Sequence, residues 1–387
     1  MKTCYKKLFF VLIFFQGIFQ AYRAHRTAVL THKHTNHVKR HLYIKLRLLG
    51  CPRSQARDII KNSSHVVTTY VDFIQSAGSD PLFLEFNSSW NEQLKILEKA
   101  DAVLLPGGDM PLIKKDLEDN GKINRINPAN PGEYILHVGD ILDKVRELNK
   151  ERERKQKDLI NVLGICLGFE AMLFYDSEYT LRYTNMNRKH MMDVVLFKEE
   201  PGAQPPAHEI SNAYRQLKLE YNRIANLFDH NEITKWEKGH YAFYNHRKGI
   251  TTKQFYKAKN IKNIYRIAAT FPYEEHDGVA IIEGKLDPFF GVQFHPERAA
   301  FERYNSFHLK GPTYKKYLNR KFATLLTDQK DRSVPSAGKI HGFRKADNYY
   351  MIDVENISIY KRITVVSKSP DISIFKELQD RRHKTYI

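Results

Sequence analysis

Short apolar runs alternate with helical patterns along much of this chain, and this alternation limits the fold to a small set. Runs suited to strands occur at 43–49, 81–86, 102–105 and 159–165, and segments with helical periodicity lie among them. Strands joined through helices pair in parallel, and the helices cover both faces of the sheet. We therefore predict an α/β domain with a mostly parallel sheet and a ligand site at the carboxyl ends of its strands.

The segment VLGICLGFEAM, residues 162–172, places a cysteine between two glycines where one of these strands ends. Gly164 and Gly168 remove side chains that would collide with the neighbouring strand and helix. The start of the following helix favours the thiolate of Cys166, and its first free N–H, on Leu167, can hold an oxyanion. The pattern predicts a nucleophile elbow with Cys in place of Ser. A small buried cysteine at a strand–helix junction is the alternative.

A candidate base follows 129 residues later in FFGVQFHPERAAF, where a predicted strand ends at His295. On an extended segment, His295 and Glu297 project to the same side, so Glu297 can orient the imidazole. We therefore predict a Cys–His–Glu set, in which Cys166 is the nucleophile, His295 is the base and acid, and Glu297 orients His295.

Three blocks, LLPGGD, GICLGFE and GVQFHPERAAFE, together resemble the class I glutamine amidotransferase superfamily and, within it, the gamma-glutamyl hydrolases. The resemblance extends over about residues 43–330 and implies the same mostly parallel fold. It also implies an oxyanion hole formed by the N–H groups of Gly108 and Leu167. Three further residues match positions that line the substrate site of the family: Tyr70, Glu170 and His246. Each also has a structural interpretation, as a core aromatic, a helix cap and a surface loop residue respectively.

The resemblance implies a hydrolase of gamma-glutamyl amide bonds, above all those of folate poly-gamma-glutamates, acting through a thioester without metal or other cofactor. Glutaminase domains of biosynthetic amidotransferases have Gln where this chain has Glu170, which favours the hydrolase branch. The alternatives are a hydrolase of other gamma-glutamyl amides or of glutamine, and a catalytically silent secreted binding protein. The expected partner is a small molecule, and the sequence leaves the oligomeric state open, a homodimer included.

The amino terminus predicts entry into the secretory pathway. Residues 1–24 have the basic start and the apolar run, Leu8 to Phe19, of a signal peptide. We therefore expect a secreted or a lysosomal or vacuolar protein. Asn-x-Ser sequons at Asn62, Asn87 and Asn356 are compatible with glycosylation.

The net charge of +18 is spread along the chain rather than gathered in a basic stripe, which disfavours nucleic-acid binding. No later stretch is long and apolar enough to insert stably in a membrane. We predict a basic, His-rich linker or pro-segment at 25–42, with metal binding by its histidines as a minor alternative. The catalytic domain is expected at 43–331. The remaining residues, 332–387, are expected to form an extension with one or two strands and no assigned function.

Overall fold

A computed structural model describes residues 25–48, 50–108, 131–197, 224, 227–301, 313–327, 344–346, 349–357 and 360–368. The strands are β1 His25–Leu30, β2 Ser63–Val67, β3 Ser79–Leu84, β4 Ala102–Leu105, β5 Asn161–Ile165, β6 Thr184–Asp193, β7 Leu196–Phe197, β8 Ala242–Gly249, β9 Tyr265–Phe271, β10 Gly278–Gly284, β11 Phe289–Val292, β12 Arg344–Ala346, β13 Tyr349–Ile357 and β14 Tyr360–Ser367.

The helices are α1 Asn36–Leu48, α2 Arg53–Lys61, α3 Thr68–Ser76, α4 Trp90–Leu97, α5 Glu133–Arg154, α6 Leu167–Asp176, α7 His230–Lys238, α8 Thr252–Lys257, α9 Ile261–Ile264, α10 Pro296–Phe301 and α11 Thr313–Lys321, and a 3₁₀ turn follows at Phe322–Leu326. No helix within these described ranges has the length and apolarity needed to cross a bilayer.

An eight-stranded sheet forms the centre of the structure, in the order β3-β1-β4-β5-β11-β10-β9-β7. Its first five strands are parallel, and β10, β9 and β7 extend it in antiparallel fashion. In β1, Ala28 and Leu30 pack with α5 and α6 on one face, whereas Val29 packs with α3 on the other. The prediction of a mostly parallel sheet covered on both faces is confirmed.

The predicted linker at 25–42 is wrong, because this segment belongs to the central sheet and to a helix. β1 lies between β3 and β4 and pairs with both in parallel. The predicted strand at 43–49 is wrong as well, since α1 runs through it and buries Val38, Leu42 and Leu46. These residues are four apart and form one helical face, which outweighs the alternation of polar and apolar residues after residue 42. The predicted domain boundary at 43 therefore falls inside α1.

The C-terminal extension forms part of a second sheet, in the order β12-β13-β14-β2. The sequence predicts one or two strands beyond residue 332, and the described residues of the extension contain three. β14 pairs in antiparallel fashion with β2, the strand that leads directly into α3. Ile363 and Val365 pack on α1 and α2, and Val366 faces the main core. The described part of the extension is therefore integrated with the domain.

The packing of β14 predicts a large loss of stability when Ile363 is truncated. Ile363 is fully buried, so Ile363→Ala should lower the free energy of unfolding by about 2–5 kcal/mol. Ile44→Ala is the matched control, because Ile44 lies on α1 but is 44% exposed. Urea unfolding of both variants tests the expectation. Equal stability of the two variants would show that the extension does not pack on α1 and α2.

Candidate active site

The elbow at Cys166 is built by a strained backbone and two close glycine contacts. Cys166 lies between β5 and α6 with φ 52° and ψ −105°, a region that residues with a Cβ rarely adopt. A Cβ on Gly168 would stand 2.1 Å from the Leu105 carbonyl oxygen at the end of β4. A Cβ on Gly164 would stand 2.9 Å from the Phe169 backbone nitrogen. Glycine is therefore required at both positions by the tight approach of backbone segments.

The register of the central sheet brings His295 to the elbow. β11 pairs in parallel with β5, with Gly291 opposite Gly164, and the Cys166 N–H donates to the Val292 carbonyl at 2.8 Å. A Cβ on Gly107 would stand 2.9 Å from His295 Cε1 and 3.0 Å from Cys166 Cβ. The imidazole, the cysteine and the Gly107 backbone thus meet at the carboxyl ends of β4, β5 and β11.

Glu297 reaches His295 from a helix and not, as predicted, from an extended segment. β11 ends at Val292, and Glu297 lies in the first turn of α10. Proline favours the first turn of a helix, and Pro296 begins α10. His295 Nδ1 and Glu297 Oε1 are 2.8 Å apart, and Glu297 has no exposed surface. The carboxylate therefore accepts from Nδ1–H, and this contact fixes the tautomer that leaves Nε2 able to take a proton.

Tyr70 lies behind these residues on α3. The side chain is 2% exposed, and its hydroxyl accepts a hydrogen bond from the Gly107 N–H at 2.7 Å. Burial raises the pKa of Tyr70 well above its ordinary value, and the nearby charges of Glu297 and Cys166 raise it further. Tyr70 is therefore a neutral group that supports the Gly107 loop and faces the Glu297 carboxylate.

The two predicted oxyanion donors belong to the start of α6 and to the loop after β4. Leu167 begins α6, and its N–H forms a hydrogen bond to the Cys166 sulfur. Gly108 follows Gly107 in the loop after β4. Since Tyr70 accepts the Gly107 N–H, the N–H of Gly108 rather than that of Gly107 stays the predicted oxyanion donor of this loop.

Burial dominates the electrostatics of the nucleophile. It raises the pKa of the Cys166 thiol well above its ordinary value, and the charges of Glu170 and Glu297 act in the same direction. The Leu167 N–H and the Arg298 charge lower it only in part. The expectation that the helix start favours the thiolate agrees with the lowering by the Leu167 N–H, but burial acts more strongly in the opposite direction.

Glu170 occupies the first turn of α6, close to the nucleophile. Its Oε1 accepts from Gln293 Nε2 at 3.0 Å, and the residue is 8% exposed. Burial raises its pKa to about 7, while the hydrogen bond from Gln293 and the charge of Lys248 lower it. Lys248 itself donates to the Tyr183 hydroxyl at 3.0 Å. The Glu170 carboxylate is therefore held by one amide and lacks a directly bound cation among the described residues.

His246 lies on β8 and is buried, which excludes its interpretation as a surface loop residue. Its Nδ1–H donates to the Lys248 carbonyl at 2.6 Å. Nε2 is then an acceptor, and it has no hydrogen-bond partner among the described residues. Burial lowers the pKa of His246 to about 4, and the charge of His295 contributes to this shift. A neutral imidazole thus offers a free acceptor nitrogen near His295.

The sequence analysis missed Gln293, Lys248 and His32, which contact the predicted residues or the loop beside them. Gln293 lies two residues before His295, and an amide at the end of a buried strand is a signal that could have identified it. His32 Nε2 lies 3.2 Å from the Gly107 carbonyl oxygen. His32 was not recognised because it lies in the segment that was predicted to be a linker. Within the described ranges, no group of three or more His, Cys, Asp or Glu side chains is arranged to hold a metal ion.

Comparison with known proteins yields both a family model and individual relatives. Residues 131–307 match the model of class-I glutamine amidotransferases. The gamma-glutamyl hydrolase of Bos taurus is 22% identical over 238 residues, which cover 62% of each chain. The Homo sapiens enzyme is 22% identical over 265 residues, covering 67% of this chain and 69% of its own. Gamma-glutamyl hydrolase 2 of Arabidopsis thaliana is 24% identical over 242 residues, covering 62% and 58%.

The chain is similar to these gamma-glutamyl hydrolases over about two thirds of its length. The match spans less than two thirds of the length of the bovine and Arabidopsis relatives. The residues matched by the family model include the elbow at Cys166 and the His295–Glu297 pair. The relation to gamma-glutamyl hydrolases thus agrees with the resemblance noted in the three sequence blocks.

The raised pKa of Glu170 predicts a pH-dependent stability difference between the wild-type chain and Glu170→Gln. A carboxyl whose pKa is about 7 when folded and near 4.5 when unfolded disfavours folding as pH rises through this range. Between about pH 4 and about pH 8, Glu170→Gln should gain about 3 kcal/mol relative to the wild type. Urea unfolding across this range measures the difference.

Glu147→Gln is the control for this experiment, since Glu147 lies on α5 with a side chain that is 69% exposed. Its stability difference from the wild type should be flat with pH. A flat difference for Glu170→Gln as well would mean that the Glu170 carboxyl is solvated and serves as a helix cap alone.

Proposed function

We propose that the chain is a cysteine hydrolase of gamma-glutamyl amide bonds. The observation that carries this proposal is the His295–Glu297 pair, with Nδ1 and Oε1 2.8 Å apart, next to a cysteine in a strained elbow. A carboxylate that orients an imidazole beside a nucleophile is the arrangement used in acyl transfer. The relation to gamma-glutamyl hydrolases adds the bond class.

The first half of the reaction forms a thioester. His295 Nε2 takes the thiol proton as Cys166 Sγ attacks the gamma-carbonyl carbon, because the buried thiol is not ionised beforehand. The N–H groups of Leu167 and Gly108 donate hydrogen bonds to the negatively charged carbonyl oxygen. Collapse of this intermediate breaks the C–N bond, and His295 returns the proton to the leaving amine nitrogen. Glu297 stabilises the imidazolium that exists between these two transfers.

The second half releases the gamma-glutamyl group. His295 accepts a proton from water, whose oxygen attacks the thioester carbonyl. The C–S bond then breaks, and the proton on His295 returns to the Cys166 sulfur. The products are the free amine and the carboxylic acid, and no electron acceptor or metal enters the balance.

Two further residues fit recognition of the gamma-glutamyl group. The substrate carries a free alpha-ammonium, and the Glu170 carboxylate lacks a directly bound cation among the described residues. A charged hydrogen bond contributes about 1.5–3 kcal/mol, against about 1 for a neutral one. A bound ammonium would therefore favour the carboxylate form of Glu170 over its neutral form. The acceptor nitrogen of His246 is available for an N–H of the substrate.

Folate poly-gamma-glutamates are the proposed substrate within this bond class, by relation to the hydrolases. Hydrolysis of other gamma-glutamyl amides or of glutamine is the second candidate. Glu170, in place of the Gln of glutaminase domains, favours the hydrolase. A silent binding protein of the same fold would have no need for the His295–Glu297 contact.

We also propose that the protein acts in the secretory pathway, as a secreted or a lysosomal or vacuolar enzyme. The support is the apolar run of residues 8–19, which lies outside the described residues. Two of the sequon asparagines, Asn62 and Asn87, are exposed, as glycosylation requires.

The nucleophile is tested by Cys166→Ala, which should abolish hydrolysis of folate pentaglutamate because no other group at the elbow can form the thioester. Product analysis by chromatography measures the activity. The same assay with glutamine as the substrate tests whether the second candidate function, glutamine hydrolysis, is present. Cys51→Ala is the control, since Cys51 is the other cysteine of the described ranges and packs against α2. Retained hydrolysis in Cys166→Ala would falsify the mechanism.

A second pair of variants distinguishes the role of the base, His295, from that of its partner, Glu297. His295→Asn should reduce kcat by about 10²-fold or more, because both proton transfers pass through it. Glu297→Gln should reduce kcat less, since an amide oxygen can still accept from Nδ1–H. Steady-state kinetics on folate pentaglutamate provide the comparison. A near-normal kcat in His295→Asn would place the base elsewhere, and His246 would be the next group to test.

A further inference from the structure

The loop after β4 is held by three side chains that contact successive peptide groups. The Pro106 carbonyl accepts from the Tyr134 hydroxyl at 2.9 Å. The N–H at the other end of that peptide group, on Gly107, donates to the Tyr70 hydroxyl at 2.7 Å. The first peptide group of the loop is thus fixed at both ends.

The next peptide group joins the Gly107 carbonyl to the Gly108 N–H. Its carbonyl oxygen lies 3.2 Å from His32 Nε2. A carbonyl only accepts, so Nε2 carries the proton, and His32 Nδ1 is the nitrogen without a hydrogen-bond partner among the described residues. The described residues contain no cis peptide bond, so the Gly108 N–H points away from the carbonyl of Gly107 and away from His32.

The surroundings of His32 keep its ring in one place. The side chain is 5% exposed and stacks on the Tyr134 ring, with centroids 5.6 Å apart. A Cβ on Gly108 would stand 2.9 Å from His32 Cε1, so the ring lies directly behind this residue. Burial lowers the pKa of His32 to about 4, which leaves a neutral ring with a single proton on Nε2.

We propose that His32 is a positioning residue for catalysis, because its hydrogen bond to the Gly107 carbonyl directs the Gly108 N–H toward the oxyanion formed by attack of Cys166. His32 touches neither the substrate nor the reacting atoms, and it acts through the Gly107–Gly108 peptide group. The inference rests on the proposed function and assigns a role to a residue of the segment before α1.

A donor directed by His32 stabilises the transition state and does not strengthen substrate binding, because the oxyanion exists only after attack. Loss of the His32 hydrogen bond should therefore lower kcat and leave KM within about twofold of the wild type. The expected loss in kcat is about 10- to 100-fold. This is below the effect of deleting an oxyanion donor outright, since the Gly108 N–H is released rather than removed.

The test compares His32→Met with His32→Gln, two unbranched side chains of which only glutamine can donate to the Gly107 carbonyl. Turnover of a gamma-glutamyl anilide gives kcat and KM. We expect His32→Met to show the loss in kcat and His32→Gln to recover at least part of it, with thermal unfolding recorded for both. His41→Met is the control, because the His41 ring contacts the His37 carbonyl within α1, and its change should leave kcat unaltered.

Equal kcat values for His32→Met and His32→Gln, or an effect confined to KM, would overturn the role of His32. An inactive wild-type chain would instead overturn the proposed function, so the two failures are distinguishable. If His32→Met does not fold, His32→Leu replaces it in the comparison with His32→Gln. A wild-type kcat in any folded variant that lacks the donor contradicts the proposal.

Discussion

The parallel pairing of β11 with β5 is the contact on which the rest of the site depends. It sets Gly291 opposite Gly164 and ends in the hydrogen bond from the Cys166 N–H to the Val292 carbonyl at 2.8 Å. Beyond this bond, β5 leads through Cys166 into α6, and β11 continues to Gln293 and His295. A slip of one residue would turn every side chain of a strand to the opposite face. The nucleophile, the imidazole and the Glu170–Gln293 contact are therefore set by a single register.

Burial gives the site its electrostatic character. It raises the pKa of both Cys166 and Glu170, and it places Glu297 where one carboxylate oxygen has no hydrogen-bond partner among the described residues. Burial thus disfavours the charged forms of Cys166 and Glu170. In the proposed reaction, the substrate brings an ammonium group and attack transfers a proton to His295. Under that proposal, both events place positive charge beside the buried acidic groups, which favours their charged forms during the reaction.

The sequence predicted the elbow because its requirements are local. Gly164 is needed for a contact with the Phe169 nitrogen, within a strand, a turn and a helix that are adjacent in the chain. Gly168 faces the Leu105 carbonyl of β4, but its place in the motif could be read without knowing that partner. β1 was missed for the opposite reason, since the three apolar residues Ala28, Val29 and Leu30 become a strand only through pairing with β3 and β4. Glu297 was correctly paired with His295, but on an extended backbone, because the helix start at Pro296 was not considered. His32 could not be found without the fold, since its partner is a backbone carbonyl 75 positions away.

A short series of contacts links the C-terminal extension to the Gly107 loop. The Thr364 hydroxyl lies 3.2 Å from that of Thr68, although 296 positions separate them in sequence. Thr68 begins α3, and Arg362 pairs with Asp72 on the same helix at 3.5 Å. Tyr70 lies between these two contacts and accepts the Gly107 N–H. β14 thus contacts the helix whose Tyr70 accepts the Gly107 N–H, and His32 contacts the carbonyl of the same residue. The extension and the segment before α1 therefore support the same residue of this loop.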